Sequence, residues 1–522
     1  MANPAPEVLR LSPEQLNALV TQLRSLLPAS VFAVVSAALH TLQWVLEAME
    51  MKTTTIARLK RVLFGSKSEK TKQLFPQPPA PPANEKPKRR GHGRRSASTY
   101  TGARKVDLPH PTLQARGPCP DCGGRLLDKT PARVVSIQAQ PLFSATLYQA
   151  QVLRCNRCQK VFTAPLPAEA LQAKYDPAVG DMLGLQRFGM GVPMYRTARW
   201  QEDIGVPLPA STQWELMAAA AQPRQPIFQA MIQAVAQATL IHTDDTTMRV
   251  QSLRKAIAAE GDKAKRTGIF TTGLVATVGE HRIALYFTGA KHAGENLDDV
   301  LRRRAAGLDT PLHMCDGLSR NASKEFETIL CNCLTHGRRT FTDVRESFPE
   351  ECRQVVESLR QVYLADAQAR EQNLSAEDRL RLHQGQSQPA MDQLHQWMSD
   401  QLDQKRVEPN SGLGQAIRYM LKRWEPLTRF LNVPGAPLDN NVVERSLKFA
   451  ILHRKNSLSF KTERGARVGD FFMSVIQTCR LNAANPLDYF KALRDHAKAA
   501  LKEPSAWLPW NYLKALAALD TS

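Results

Sequence analysis

The sequence predicts an α/β core set between helical regions, and three observations carry that expectation. Strand-like runs crowd into one stretch, where ATLIHTDD, TTMRVQSL, GIFTTGLVATV and HRIALYFTG follow one another with short breaks over residues 238–289. A helical segment near 294–306 then precedes a further strand in TPLHMCDG, residues 310–317. Helical spacing dominates on either side, at 166–235 and again at 345–430.

The chain has 522 residues, which suits two to four domains. Its formal charge of +20 points to a polyanionic partner, most simply nucleic acid, with a soluble protein of a basic proteome as the plainer reading. MANPAPEVLRLSPEQ lacks the basic start and apolar run of a signal peptide. Residues 27–47 are apolar but carry Ser30, Ser36, His40 and Gln43, which suits a buried or self-associating helix better than a membrane span. Nine cysteines imply no disulfide framework, so a reducing cytoplasm is expected.

Taken in order, residues 1–75 read as helical, with Ser12 as a cap, Pro13 in the first turn and leucines at helical spacing, and offer a dimerisation region over 11–63. Residues 76–112 form a proline-rich basic linker. Its Lys88, Arg89, Arg90, Arg94 and Arg95 either order on a phosphate backbone or remain a solvated tether. In 113–165, Cys119-Pro-Asp-Cys122 is followed by two glycines, and Cys155-Asn-Arg-Cys158 comes after the strand-like run RVVSIQAQPLFSATLYQAQVLR. Two such pairs predict a closed tetrahedral zinc site of four thiolates, a zinc ribbon, structural rather than catalytic. Residues 166–235 read as short helices and tight turns, either a helix-turn-helix or a helical spacer.

The core is expected in two parts, 236–345 and 436–490, separated by a helical insertion at 346–435 and followed by a tail, 491–522. Asp244 and Asp245 follow one strand, Asp316 ends another, and Glu444 lies early in a helix beginning near Asn440. Two strand-end aspartates and a helix-borne glutamate are oxygen ligands suited to a pair of magnesium or manganese ions about 4 Å apart, the arrangement used for in-line phosphoryl transfer. Spacing alone leaves other roles open: Asp244 as a turn cap, Asp316 as a loop start, Glu444 as an ion-pair partner of Lys448 four residues on.

The stretches PLDNNVVERSLKFAILHRKN with SVIQTCRLNAANPLDYF, HTDDT, MCDG, CLTHGRRTF, LKRVLFGSKSEK and WLPWN stand out. Together they resemble the transposases of the bacterial insertion sequence sixty-six family. The resemblance implies a ribonuclease-H-like core and a DDE-type enzyme with Asp244, Asp316 and Glu444 as the catalytic acids. Asp245 stands where the family usually has glutamate, and Gly317-Leu318-Ser319-Arg320-Asn321 replaces its aromatic residues after the second aspartate. Asp245, His336, Asn440 and Asn441 are expected to support the site, and Arg338, Arg339, Arg445, Lys448, Arg454 and Lys455 to hold phosphates. Double-stranded DNA (element ends and target), accessory proteins of the element and a second copy of the chain are the partners implied, with no membrane role and a place in the bacterial cytoplasm on the nucleoid. Two other classes compete: a zinc-containing DNA-binding protein without catalysis, and a scaffold that binds proteins through 11–63.

Overall fold

The computed structural model describes residues 13–29, 31–40, 96–100, 103, 105–127, 132–135, 137, 142–156, 159–261 and 266–520. Chain contacts divide it into two units, residues 77–165 with 204–206, and the remainder. Near the N-terminus, α1 (Pro13–Leu26) has Pro13 in its first turn, and residues 31–40 are helical. The expected cap Ser12, the remainder of the 11–63 arm, the LKRVLFGSKSEK segment and the arm residues Lys88, Arg89, Arg90, Arg94 and Arg95 lie outside the described residues.

In the smaller unit, β1 (Val152–Arg154) pairs antiparallel with β2 (Val161–Thr163), Leu153 opposite Phe162. Among the described residues of the strand-like run 133–154, only the last three pair as a strand; Val134, Ile137 and Leu147 are exposed, while Phe143 is buried.

In the larger unit, four helices precede the sheet after residue 166: α2 (Ala178–Gly184), α3 (Met194–Asp203), α4 (Ala210–Ala221) and α5 (Gln225–Ala236). The sheet opens with β3 (Leu240–Thr247) and, after α6 (Gln251–Glu260), continues through β4 (Phe270–Val278) and β5 (His281–Gly289). Next come α7 (Ala293–Leu301), β6 (Leu312–Cys315) and β7 (Ile329–Asn332). The five strands lie in the order β5-β4-β3-β6-β7. β3, β4 and β5 are antiparallel neighbours, whereas β6 runs parallel to both β3 and β7. TTMRVQSL is not a strand: β3 ends at Thr247, and Gln251 starts α6, whose LRKAIAAE favours helix. β7, only four residues long, was not among the expected strands.

α8 (Leu334–Val344) follows β7, and the insertion then holds α9 (Pro349–Glu371), α10 (Ala376–Gln386), α11 (Gln388–Asp403) and α12 (Gly412–Lys422). Its Leu359, Met391, Met398, Ile417 and Met420 share one apolar cluster with Met314, Cys331 and Cys333 from the sheet side. The insertion thus extends the core and fixes the ground beneath β6 and β7. Next come α13 (Asn441–Ser457), α14 (Glu463–Leu481) and α15 (Pro486–Asp495), with α16 (Ala497–Lys502) and α17 (Tyr512–Asp520) after them. Among the described residues no helix is long and apolar enough to cross a membrane.

α14 closes the sheet at β5. Side chains four apart on the helix take backbone groups two apart on the strand. Asp470 accepts the Thr288 N–H at 2.8 Å, Ser474 that of Tyr286 at 3.0 Å, Thr478 that of Ala284 at 3.0 Å, and Asn482 that of Arg282 at 3.3 Å. Four helical residues rise about 6 Å and two strand residues about 6.8 Å, so the two repeats stay in step over this length. Otherwise-open edge donors are satisfied without a further strand.

Burial lifts the Asp470 carboxyl to about 7, against the pull of the Thr288 hydrogen bonds and Arg467. Because the folded value is raised, its stability contribution is complete below the ordinary 3.8 and is lost as pH climbs through about 7. A shift of that size sets a ceiling of about 4 kcal/mol. Asp470→Asn, whose amide can still face Thr288, is expected to flatten this part of the stability curve, read by denaturant unfolding across the range. An unaltered slope would assign the pH dependence to other groups.

Candidate active site

Successive residues of a strand face opposite sides, and β3 uses this at its acids. The Asp245 side chain, 3 % exposed, faces α7. It accepts the Thr272 hydroxyl at 2.6 Å and the Ala293 N–H at 3.0 Å, and lies 3.2 Å from His292 Nδ1. Asp245 therefore ties α7 to the sheet. Asp244 faces the other side, opposite Gly273 in the β3–β4 register.

Gly273 is where α13 comes down on the sheet. A Cβ there would stand 2.9 Å from Leu447 Cδ2 and 3.3 Å from Val443 Cγ2, both on α13. Absence of a side chain lets the helix bring Glu444 towards the face that carries Asp244. Gly273→Val is expected to displace α13 and cost about 1–3 kcal/mol through overpacking, measured by thermal unfolding. An unchanged midpoint would mean that α13 is not held at this spot.

Asn440, fully buried, fixes the start of the same helix. Its amide donates to the Thr243 carbonyl at 2.9 Å, its Oδ1 lies 3.1 Å from His242 Nδ1, and its backbone N–H points to Cys333 Sγ at 3.3 Å. Burial lowers His242 to about 4, so the ring is neutral and donates to Asn440. Asn441 begins α13, its N–H bound to Asp439 at 3.1 Å.

Asp316 directly follows β6. Its Oδ1 accepts the Asn321 amide at 2.7 Å and the Leu318 N–H at 3.2 Å. The segment that departs from the family pattern thus folds back to orient this acid. Gly317 accepts a 3.0 Å hydrogen bond from Arg423 Nε, whose guanidinium lies 4.3 Å from the Tyr419 ring centroid. A Cβ at Gly317 would stand 2.5 Å from Arg423 Nε, so an aromatic residue has no room there.

Burial raises Asp244 to about 7, and the charges of Asp316, Glu444 and Asp245 add to that rise. Among the described residues the three expected acids are not drawn together as one tight donor set; another trio is. Among the described residues, Cys333, His336 and Glu444 form the group of three ligand-type side chains whose donor atoms all lie within 4.8 Å of one another. Glu444 Oε1 is 3.8 Å from His336 Nδ1, and no ion pair joins Glu444 to Lys448 among the described residues. Burial raises the Cys333 thiol to about 11.

The basic residues differ in placement. Arg454 is turned inward, donating to the hydroxyls of Thr247 at 2.6 Å and Thr246 at 3.1 Å at the end of β3. Arg445, Lys448 and Lys455 are exposed on α13, and Arg338 and Arg339 are half-buried on α8. In the smaller unit, the first cysteine of each pair accepts a backbone hydrogen bond from four residues on. The Gly123 N–H bonds to the Cys119 carbonyl at 2.8 Å and the Gln159 N–H to the Cys155 carbonyl at 3.0 Å, with positive φ at both Gly123 (73°) and Gln159 (62°). Hydrogen bonds from Asp121 and Cys122 hold the Cys119 thiol below its ordinary value. Cys122 is exposed and Cys155 half-buried; Cys158 lies outside the described residues.

Sequence reasoning did not anticipate Asn321, Gly273, Thr272, His292 or Arg423 as parts of this region. Period-two alternation could have separated the roles of Asp244 and Asp245. The others depend on contacts distant in sequence.

Fold and site together define a mixed α/β protein with a polar, carboxylate-bearing centre on one face of its sheet. Residues 177–468, more than half of the chain, match the model of the Transposase IS66 family. The chain belongs to that family. Similar proteins in Sinorhizobium fredii (strain NBRC 101917 / NGR234) include the uncharacterized protein y4hP, 26% identical over 516 residues with 90% of each chain covered. The uncharacterized protein y4jD is 24% identical over 503 residues, covering 88% of this chain and 93% of its own. A third, y4qI, is 29% identical over 226 residues and 41% of each chain.

Proposed function

We propose that this chain is a DDE-type transposase that binds the ends of an insertion sequence, cleaves them and joins them to target DNA. The observation that carries this reading is the match of residues 177–468 to the Transposase IS66 family, and it is supported by an Asp244 carboxyl raised by burial and by the charges of Asp316, Glu444 and Asp245. An all-oxygen donor set of that charge fits magnesium or manganese. Asp244, Asp316 and Glu444 would hold the ions. Bound there, they supply the Lewis acidity and the activated water that in-line phosphoryl transfer needs. The chain's own residues prepare the place. Asn321 orients Asp316, Asn440 and Gly273 set the helix that carries Glu444, and Asp245 anchors the opposite face. Arg338, Arg339, Arg445, Lys448 and Lys455 would meet phosphates, while Arg454 braces the end of β3. No serine or tyrosine nucleophile is required.

The strand order, with β4 antiparallel between β3 and β5, supports a ribonuclease-H-like core made of 236–345 and 436–490 and interrupted by 346–435. The backbone hydrogen bonds accepted by Cys119 and Cys155 support a structural zinc held by Cys119, Cys122, Cys155 and Cys158 within 113–165. In 166–235, α3 exposes Tyr195, Arg196, Arg199 and Trp200, which suits a DNA-binding region. The 1–75 region would join copies of the chain, the basic 76–112 linker would follow DNA, and 491–522 would form the tail. Bringing two DNA ends together calls for at least a dimer, and the element's accessory proteins are further partners. The setting would be the bacterial nucleoid in the cytoplasm.

The test is a cleavage and strand-transfer assay with purified protein, element-end DNA and magnesium. Free 3′-hydroxyl ends and joined products that vanish with EDTA are expected. End-specific binding without products, even with the accessory proteins added, would replace the enzyme with a non-catalytic DNA-binding protein.

A further inference from the structure

We propose that Cys333, His336 and Glu444 form a second cation site, one that takes a thiophilic divalent ion such as zinc rather than magnesium. The three side chains come from two elements that meet over the end of the parallel strands. Cys333 is the cap residue of α8, His336 lies in the first turn of that helix, and Glu444 lies in the first turn of α13. Their donor atoms lie within 4.8 Å of one another.

Two independent features point to a ligand. His336 Nδ1 and Glu444 Oε1 are both buried atoms with no hydrogen-bond partner, a costly arrangement for an imidazole and a carboxylate. They stand 3.8 Å apart, too far for a hydrogen bond between them. Ligands about 2 Å from one tetrahedral ion stand about 3.4 Å apart, so a shift of a few tenths of an ångström would let one ion satisfy both. The thiol of Cys333 adds a soft donor, and thiolate with imidazole selects zinc-like ions over magnesium. The side chains of His336 and Glu444 are 26 % and 29 % exposed, which leaves a route for the ion and room for a fourth, solvent ligand.

The ground is rigid. Asn440 N–H points at Cys333 Sγ, Thr335 hydrogen-bonds the Tyr363 hydroxyl at 2.9 Å, and Cys333 lies in the apolar cluster shared with the helical insertion. Glu444 also belongs to the carboxylate trio. The consequence, which rests on the proposed function, is that a thiophilic ion in this site and the magnesium set compete for one side chain.

The probe is cobalt(II), which absorbs in the near ultraviolet when a thiolate binds it. The full-length chain, freed of metal under reducing conditions, is titrated beside Cys333→Ser and His336→Gln, with all four knuckle cysteines intact in every sample. Each variant is expected to bind one cobalt equivalent fewer than the unmodified chain, and Cys333→Ser to lose the matching share of the charge-transfer band. His336→Gln keeps the buried thiol in place, so it decides the matter if the serine variant fails to fold. Equal stoichiometry in the unmodified chain and His336→Gln overturns the proposal. A chain without cleavage activity would count against the proposed function and leave this stoichiometry unaffected.

Discussion

Asp316→Asn, Asp244→Asn and Glu444→Gln are each expected to lower strand cleavage at least about a thousand-fold, the loss of several kcal/mol of metal-borne transition-state stabilisation. The Asp244 variant carries a second signature. Its carboxyl is lifted to about 7 by burial and by neighbouring acids, so at higher pH the ionised side chain opposes folding of the metal-free chain. A neutral amide removes that opposition. Metal-free Asp244→Asn is therefore expected to be more stable than the parent by roughly 1–3 kcal/mol at mildly alkaline pH, with the gain fading towards acid. Loss of activity with gain of stability marks a group held in place for chemistry. Retained cleavage in any one of the three variants, with folding intact, would remove that residue from the catalytic set.

Asp181→Ala is expected to be the most damaging single change to the fold. Asp181, on α2, is 1 % exposed and meets Arg224, itself 8 % exposed, through both carboxylate oxygens. Arg494 on α15 reaches the same carboxylate at 3.1 Å. One acid thus joins the helices that precede the sheet to α15, which follows it. Removing it leaves the Arg224 guanidinium buried and unpaired beside the Phe490 ring, whose centroid lies 5.5 Å away. Breaking a buried pair from one side costs about 3–5 kcal/mol. Denaturant unfolding measures this directly, and a loss under about 1 kcal/mol would show that Arg224 finds another acceptor. Replacing Asp181 and Arg224 together by apolar residues of similar volume is expected to recover much of the loss.

The strand runs were legible because period and composition are local properties, but Asp244 and Asp245, expected to follow a strand, lie inside β3, which continues to Thr247. Two adjacent aspartates could be marked as important, yet only their alternation on β3 assigns Asp244 to α13 and Asp245 to α7. TTMRVQSL was misread because its β-branched start outweighed the helix-favouring residues that follow. β7 escaped because four residues carry too little periodicity, and its place depends on a parallel partner. The largest gap is at Glu444. Its neighbours in sequence suggested phosphate contacts, but the imidazole 3.8 Å from its carboxylate, that of His336, lies more than a hundred residues earlier. The Gly317–Asn321 segment, read as a departure from the family pattern, instead supplies the amide that orients Asp316. Such pairings are set by the packing of α8 and α13 on the sheet, and no local pattern encodes them.

The ladder between β5 and α14 has a consequence for the chain's synthesis. Thr288 leaves the ribosome 182 residues before Asp470, its partner. At about 5–20 residues/s, the interval is roughly 10–35 s. Throughout that time the nascent sheet presents a row of N–H groups, from Thr288 back to Arg282, with nothing made yet to accept them. The edge is sealed only when the stretch from Asp470 to Asn482 has emerged. Translation that stops anywhere before Asp470 therefore yields a sheet able to recruit foreign strands, and chaperone demand should be greatest in this late window.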